Sequence, residues 1–211
     1  MTRQNEHQRS GFTLVEVMIA IGIMTVGSLG ILSMHQAIGQ ANRAAHEMNT
    51  ALTITERWIE RIERDTLNWT EAGQASPSLT TRTDYLVPLT ATNNETAWFR
   101  PAPPSDEESY SFDHFGNDIN NGDPAKFCTN IRLSWIRLGA SARVDVRTFW
   151  YREGHMGGAA THPNWVTGTA FRNADCDAAT ADGWNLSTGM VPNIEVVHAS
   201  TMIRWLRREG T

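Results

Sequence analysis

Apolar residues are concentrated in one block near the N-terminus, which runs from Phe12 to Leu32. Glu16 is the only acidic or basic residue between Phe12 and His35. A helix rises about 1.5 Å per residue and needs about 20 apolar residues to cross a bilayer core, so this block is long enough to span a membrane. It is longer than the apolar region of an ordinary secretory signal, and no A-x-A-like site follows it. The pattern predicts a membrane-spanning helix that is retained.

Beyond Gly39 the composition turns polar, but the helical period continues. Apolar positions recur there at spacings of four and three, as in a helix with one apolar stripe. The stripe consists of Ala41, Ala45, Met48, Leu52, Thr55, Ile59 and Ile62. We therefore expect a single helix from about Phe12 to about Leu67, with a membrane part at 12–39 and an amphipathic part at 40–69. The stripe is predicted to pack on the rest of the protein.

The C-terminal part of the chain alternates between apolar and polar residues, which is typical of strands. This alternation occurs at Ile131–Trp135, at Val144–Trp150 and at Ile194–Trp205, and Leu138–Ala142 is predicted to turn the first two into a hairpin. Loops rich in Ser, Thr, Pro, Asn and Asp are predicted for 73–124, and an extended loop for 154–190. Residues 70–211 are thus expected to form one head with an antiparallel sheet. The fold class is α+β, with the long helix against the sheet.

Length and charge narrow the functional classes. With 211 residues, a formal net charge of −5 and a pI near 5.8, the chain suits a long helix plus one compact head. The acidic balance gives no support for nucleic-acid binding through bulk charge.

Two cysteines occur, Cys128 and Cys176, and they do not form a C-x-x-C or zinc-ligand pattern. In an oxidising compartment they are expected to form a disulfide, which would stabilise the fold by roughly 3–4 kcal/mol in the chain-entropy model. The alternative is a pair of buried thiols. The compartment decides between the two.

The segment before the apolar block is short and polar, with Arg3 and Arg9 on the side that the positive-inside rule assigns to the cytoplasm. It leads into Gly11-Phe12-Thr-Leu-Val-Glu16. This run resembles the prepilin signature of type IV pilins and of the pseudopilins of type II secretion. The resemblance implies that a membrane peptidase removes leader 1–11 by cutting between Gly11 and Phe12, and that the new amine of Phe12 is methylated. Ser10 departs from the Lys or Arg that many members carry before the glycine.

The same resemblance gives Glu16 a role. It is expected to be the assembly carboxylate, which pairs with the free amine of Phe12 in a neighbouring subunit. The implied partners are other minor pilins, the major pilin, prepilin peptidase, the inner-membrane assembly platform and a large tip adhesin. The implied location is the inner membrane with a periplasmic head, and then the pilus at the cell surface, at its tip.

A finer resemblance is to minor pilins of the PilV type, also called type IV pilus modification proteins. It depends on the motif that begins at Gly11, on the turn Phe112-Asp-His-Phe-Gly116 and on the hydrophobic C-terminal strand. Similarity is strong only over the first fifty or so residues. The resulting functional prediction is a minor pilin of a tip or priming complex, and the nearest rival is a type II secretion pseudopilin.

Oxygen-bearing side chains crowd into one glycine-containing stretch: Asp113, Asn117, Asp118, Asn120, Asn121 and Asp123. Asp118, Asn120 and Asp123 are candidate calcium ligands, although the spacing does not fit the EF-hand loop. The same residue types are common in turns, and we predict turns here.

A second group of candidates combines arginine and tryptophan: Arg137, Arg147, Arg152, Arg204, Arg207 and Arg208, with Trp135, Trp150 and Trp205. They suggest a platform for DNA or a surface ligand such as a sugar, which makes a ligand-binding tip module the rival function. The simpler interpretation is a sheet with a tryptophan core and arginine stems along its rim.

Catalytic patterns are not found in the sequence. Three histidines are candidates for metal or acid–base chemistry and three serines are candidate nucleophiles: His114, His155, His162, Ser76, Ser105 and Ser111. No spacing links them, and there is no glycine-framed nucleophile, phosphate loop or paired zinc motif. The sequence therefore predicts neither an enzyme nor a cofactor.

Overall fold

The computed structural model describes residues 13–69, 83–89, 94–101, 108–120, 123, 125–151, 171, 176–183 and 194–204. The elements in chain order are helix α1 (Leu14–Thr66), strands β1 (Ser111–Phe112), β2 (Phe127–Arg137) and β3 (Ser141–Tyr151), helix α2 (Ala178–Gly183) and strand β4 (Ile194–Arg204). The chain divides into two compact units, Met1–Arg43 and Ala44–Thr211, and the division falls within α1.

Helix α1 has 53 residues and agrees closely with the predicted span of 12–67. It ends in a tight turn in which the N–H groups of Leu67, Asn68 and Trp69 each donate to a carbonyl three residues earlier. Such i to i+3 bonds satisfy carbonyl groups at a helix end. Trp69, just beyond the helix, is buried.

The buried face of α1 differs from the predicted stripe. The fully buried apolar side chains of α1 are Ala51, Ile54, Trp58 and Ile62. Met48 and Leu52, which the stripe placed at the core, are 48% and 38% exposed. The predicted stripe is confirmed at its C-terminal end, where Thr55 and Ile62 are buried and Ile59 packs against the core. The prediction was wrong at Met48 and Leu52 because a second stripe of apolar residues, Ala51, Ile54 and Trp58, lies beside them, and spacing alone does not say which stripe faces the sheet. Trp58 belongs to the buried stripe and was missed.

The sheet has four strands in the order β1-β2-β3-β4, with every pair antiparallel. The predicted hairpin is confirmed, since β2 and β3 pair from Phe127↔Trp150 to Arg137↔Ser141. Its turn contains Gly139 at φ 71°, a conformation that glycine adopts without steric cost. The predicted strands at residues 131–135, 144–150 and from 194 onward are also confirmed. Strand β1, only two residues long, gave no alternating pattern.

One face of the sheet packs on the second half of α1. Its central side chains, Ile131, Leu133, Val144 and Val146, are fully buried. At the middle of this interface the hydroxyl of Thr148 lies 2.8 Å from that of Thr55 on α1 and 3.2 Å from that of Thr129. These polar groups satisfy one another inside the core, so their burial leaves no orphaned hydroxyl.

The other face of the sheet is covered by the segment that contains Phe171 and α2. Phe171 exchanges two backbone hydrogen bonds with Ala125 and stacks on Tyr151 with ring centroids 4.1 Å apart. Cys176 is joined to Cys128 of β2 by a disulfide with Cα atoms 5.3 Å apart. The predicted extended loop at 154–190 thus contains a short helix, and most of that loop lies outside the described residues.

The two stripes of α1 give a direct test of which one is the core. Replacing Trp58 with alanine removes a completely buried ring and should lower the free energy of unfolding by about 3–5 kcal/mol. Met48→Ala, on the exposed stripe, should cost less than about 1 kcal/mol. Chemical denaturation of the full chain in detergent measures both. Equal losses would contradict the observed placement.

The disulfide gives a second test. A Cys128→Ser/Cys176→Ser double variant opens a loop of 48 residues and should lose roughly 3–4 kcal/mol of unfolding free energy. Intact mass should rise by two hydrogens when the native protein is reduced. An unchanged mass together with unchanged stability would show that the two thiols are free in the cell.

Candidate functional site

The start of α1 is a hydrogen-bonded cap formed by Thr13 and Glu16. The backbone N–H and the hydroxyl of Thr13 both donate to Glu16 Oε2 at 3.0 Å, and the N–H of Glu16 donates back to Thr13 Oγ1 at 3.3 Å. This reciprocal pattern is a capping box, which satisfies N–H groups that have no partner within the helix. The predicted cleavage and methylation residues, Gly11 and Phe12, lie outside the described residues.

The first half of α1 presents an apolar surface that the described part of the chain leaves exposed. Every large hydrophobic side chain from Leu14 to Ile38 is exposed, and this part of the helix reaches a mean hydropathy of 2.1. Within the described residues α1 is the single helix long and apolar enough to cross a membrane. Length and composition therefore fit a membrane span.

The hydroxyl groups within this apolar half are satisfied inside the helix. Each donates to a carbonyl three or four residues earlier: Thr25 to Gly22, Ser28 to Met24 and Ser33 to Gly30. Hydrocarbon offers no partner for a polar group, so such internal bonds are what a lipid-embedded helix requires.

Four glycines lie in this half of the helix. A Cβ added at any of Gly22, Gly27, Gly30 or Gly39 would meet nothing within 4 Å. No contact among the described residues therefore requires glycine at these positions.

Buried ion pairs join the second half of α1 to the head. Glu47 and Lys126 approach to 2.7 Å with both side chains nearly buried, and Lys126 Nζ also donates to the carbonyl of Tyr151 at 2.8 Å. Removing one member of such a pair strands a buried charge, so the pair fixes which residues of helix and sheet meet.

Asp118, predicted as a turn residue or calcium ligand, is bound by arginines of α1. Arg61 Nη2 donates to both of its carboxylate oxygens at 2.9 and 3.0 Å, and Arg57 Nη1 lies 3.3 Å from Oδ2. The backbone N–H of Ser109 donates to Oδ1 at 2.7 Å. This arrangement gives the Asp118 carboxylate a structural role, which is to attach the segment around β1 to the helix.

The other two calcium candidates, Asn120 and Asp123, are exposed, and the N–H of Asp123 donates to the carbonyl of Asn120 at 3.1 Å. In the part of the chain that the structure describes, no group of three or more His, Cys, Asp or Glu residues is placed to bind a metal ion.

The predicted arginine and tryptophan platform is largely internal where it is described. Trp150 is buried, and Arg147, expected at the rim, is only 3% exposed. Arg147 donates to Asn130 Oδ1 at 3.0 and 3.1 Å and to Asp182 at 2.7 Å. The rim placement was wrong for Arg147 because a guanidinium can be buried when its donors find partners. Arg137 and Arg204 are exposed, and the remaining arginines and Trp205 lie outside the described residues.

Trp98 packs against the arginine side chains on the face of the sheet that carries Arg147, and the sequence analysis did not predict this contact. The guanidinium groups of Arg132 and Arg147 lie 4.9 and 4.4 Å from its ring centroid, and the ring of His198 lies 5.9 Å away. In the sequence Trp98 stood in a short apolar island within a loop, and nothing there pointed to an arginine cluster.

Histidine and serine candidates do not come together in the described residues. His114 is exposed, whereas Ser111 is buried with its Oγ 3.6 Å from Cys176 Sγ, beside the disulfide. His155, His162, Ser76 and Ser105 lie outside the described residues.

A buried acid near the end of α1, Asp65, and a buried phenol, Tyr85, also escaped sequence reasoning. Asp65 accepts hydrogen bonds from the N–H groups of Asp84 and Tyr85, both at 2.9 Å, and burial raises the pKa of its carboxyl above the ordinary value. Tyr85 donates to Glu108, and burial together with this carboxylate raises the pKa of the phenol. The two bonds to Asp65 fasten the loop that contains Tyr85 to the helix end.

Comparison with known proteins finds a family match over the segment that contains the cap and much of the apolar half of α1. Residues 7–32 match the family model described as the prokaryotic N-terminal methylation motif. No curated protein and no solved structure matches the chain. The motif match covers a small part of the chain and supports a type IV pilin-like or pseudopilin-like protein.

The surroundings of His198 give a pH prediction. The side chain of His198 is exposed, but the protein groups around it displace part of its water and lower the pKa of its imidazole; Arg147 and Arg132 lower it further, and Asp145 opposes them. The unfolded chain then binds a proton at His198 more readily than the folded one, so stability should fall as the pH drops below about 6.5. His198→Gln should lose less stability than the wild type between about pH 7.5 and pH 5, as thermal unfolding at each pH measures. His114→Gln controls for the loss of a histidine, and identical pH profiles for the wild type and His198→Gln would contradict the prediction.

Proposed function

We propose that this protein is a minor type IV pilin, a membrane-inserted subunit that prepilin peptidase cuts between Gly11 and Phe12 and that then enters a filament through α1. The observation that carries the proposal is the position of the methylation motif. It lies at residues 7–32, at the start of a 53-residue helix whose first half exposes apolar side chains and whose second half packs on a folded head. Such a helix can pass from lipid to a bundle of neighbouring helices without refolding the head.

The carboxylate of Glu16 can form an ion pair with an amine of a neighbouring subunit. Both bonds from Thr13 go to Oε2, so we assign Oε1 to the free amine of Phe12 in the adjacent subunit. A carboxylate in an apolar environment needs a partner, and the amine supplies a charged donor. An ion pair of this kind adds little net stability but is costly to leave half-made, so it acts mainly as a register device.

The head is proposed to face the periplasm. Arg3 and Arg9 in the leader favour a cytoplasmic N-terminus, and a disulfide between Cys128 and Cys176 suits an oxidising compartment. The proposed partners are prepilin peptidase, the inner-membrane assembly platform, the major pilin and other minor pilins, in a complex at the pilus tip that primes assembly.

A pseudopilin of type II secretion shares the motif and the helix, and differs in the partners of the head. The length of the chain, together with its large head, favours a scarce specialised subunit over a bulk repeating one. Affinity purification of the native protein separates the two functions: pilus subunits should be recovered with it, and recovery of secretion-system subunits alone would assign it to secretion.

Intact mass and N-terminal sequencing of the native protein test the processing step. The chain should begin at a methylated Phe12, and Gly11→Ala should leave an uncut chain that starts at Met1 or Thr2 and yields no surface pili. Glu16→Gln should be cut normally but be incorporated into pili poorly, because the neutral side chain no longer pairs with the amine. An uncut wild-type chain, or normal incorporation of Glu16→Gln, would contradict the proposal.

A further inference from the structure

Strand β4 forms one edge of the sheet and has 11 residues, with β3 on its inner side. Its register with β3 runs without a bulge from Tyr151↔Ile194 to Ser141↔Arg204. Proteins commonly protect an edge strand by keeping it short or by placing a bulge, a proline or a lysine in it. The opposite edge follows this rule, because β1 has only two residues, whereas β4 has none of these features. Strand β4 thus has the length and regularity of an inner strand.

The pairing pattern shows which backbone groups of β4 point outward. Ile131 of β2 exchanges both of its backbone hydrogen bonds with Phe99, on the side of β2 away from β3. Backbone groups of an antiparallel ladder point to alternate sides at successive residues. Val146, which faces Ile131, therefore bonds to Ala199 of β4, and the residues on either side of Ala199 point outward.

The outward N–H and C=O groups along β4 are consequently those of Val196, His198, Ser200 and Met202. None of these groups has a hydrogen-bond partner among the described residues. Backbone groups are obligatory hydrogen-bonding groups, and a row of them at strand spacing matches another extended chain. The outer edge of β4 is therefore a template for one more strand.

The flank of α1 beside this edge is apolar and acidic. Thr201 of β4 donates to Glu63 Oε1 at 3.1 Å, which identifies the flank of α1 that faces β4. Helix residues are spaced about 100° apart, so Leu52, Glu56 and Ile59 lie on this same flank. Leu52 is 38% exposed, and Ile59 is only partly buried against the core. A strand added about 4.8 Å beyond β4 would direct alternate side chains toward this flank.

Charge selects which strand fits there. The described ion pairs of α1 are formed by Glu47, Arg57 and Arg61, and they leave Glu56 and Glu63 without a cation. A second copy of β4 is a poor match, because its side chains on the α1 side include an acid and no base. These side chains are Glu195, Val197, Ala199, Thr201 and Ile203. Like charges that face each other destabilise a pair, so the flank favours a strand with a basic residue.

We propose that the outer edge of β4 binds one extended segment of a different protein of the filament complex, as a fifth strand of the sheet. The segment carries apolar residues and at least one lysine or arginine on the side that faces α1. Main-chain hydrogen bonds to the outward groups of β4 supply the affinity, and the α1 flank supplies the specificity. A single edge accepts a single strand, so the contact does not propagate along a filament, as suits a scarce subunit.

This proposal rests on the proposed function, and the two fail separately. Processing at Phe12 and the effect of Glu16→Gln test the function, whereas the backbone of β4 tests the added strand. A correctly processed protein whose β4 edge stays open in the complex would overturn the added strand alone.

Amide hydrogen exchange tests the edge in the full chain. In the protein purified in detergent, the amides of His198, Ser200 and Met202 should exchange at least about tenfold faster than those of Ala199 and Thr201, which bond to β3. In the native complex, purified through a tag on this chain, all five should exchange slowly. Mass spectrometry with residue-level fragmentation measures both states. Slow exchange of the outward amides in the free protein, or fast exchange in the complex, overturns the proposal.

Photocrosslinking identifies the added strand. A benzoylphenylalanine at position 200 of the full-length chain, in cells that assemble the complex, should crosslink to one segment of another protein. Sequencing of the product should show apolar residues alternating with lysine or arginine. The same probe at Phe115, which is 69% exposed between β1 and β2, is the control and should not give that product. Crosslinks to a second copy of this chain, to a segment without a basic residue, or none at all overturn the proposal.

Substitution gives an independent readout. Ser200→Pro removes an outward N–H and places a ring across the edge, so recovery of the crosslinked partner should fall by roughly tenfold. Ser200→Ala keeps the N–H and should leave recovery unchanged. Proline is tolerated where the N–H of an edge strand faces solvent, so the thermal midpoint of Ser200→Pro should stay within about 5 °C of the wild type. Normal recovery with correctly folded Ser200→Pro would refute the added strand.

A charge reversal covers the case in which Ser200→Pro lowers the thermal midpoint further. Glu56→Lys places a cation on the flank that is proposed to meet a basic residue, and it should lower recovery of the partner by roughly threefold to tenfold. Asp123→Lys makes the same change of charge at an exposed site between β1 and β2, and should leave recovery unchanged. Equal recovery for the two variants would overturn the proposed charge match.

Discussion

Burial of one face of α1 against β2 and β3 is the interaction on which the head depends. Ala51, Ile54, Trp58 and Ile62 supply the apolar side of a core whose other side comes from the two central strands. An isolated helix in water is marginal, so this packing stabilises the second half of α1 as much as the helix stabilises the sheet. The ion pairs then select one register. Glu47 meets Lys126 at one end of the buried face, and Arg61 meets Asp118 farther along, so a slip of one helical turn would leave buried charges unpaired.

The first half of the same helix has a separate requirement, which is cover for its apolar side chains. This half exposes apolar side chains and satisfies its own hydroxyl groups, so its cover must come from lipid or from other helices. The two halves of this one helix therefore need different surroundings: lipid or other helices for the first half, and the sheet for the second. The methylation motif at residues 7–32 coincides with the half that the described residues leave uncovered. That coincidence, rather than the sheet, supports the proposed filament assembly.

Features that depend on residues close together in the sequence could be predicted, and features that depend on remote residues could not. The long apolar run and the strand alternation of β2, β3 and β4 are local patterns, so the helix, the hairpin and the α+β class were predictable. The placement of Met48 and Leu52 was not, because two stripes at helical spacing share one helix and only the sheet decides between them. A related reason explains two other residues. Arg147 was wrongly predicted at the rim of the sheet, and Asp118 was left as either a turn residue or a calcium ligand. Their partners, Asn130 and Asp182 for the first and Arg57 and Arg61 for the second, are remote in sequence, and local spacing carries no information about such pairs.

In the proposed function, Glu16 connects the membrane form to the assembled form. A carboxylate at the start of an apolar helix is unfavourable in lipid, and the capping box with Thr13 gives it two donors within its own chain. The same cap orients the carboxylate along the first turn and leaves one oxygen to receive a cation. Cleavage before Phe12 would create that cation at the end of every subunit. In the proposed assembly the two neutral donors of the cap leave the charge of Glu16 without a counterion, so the amine supplies one and fixes the register, while the large apolar surface of α1 supplies the driving force. The two contributions are thus separable: removing the charge should lower incorporation by misplacing subunits, whereas removing apolar contacts should weaken their association.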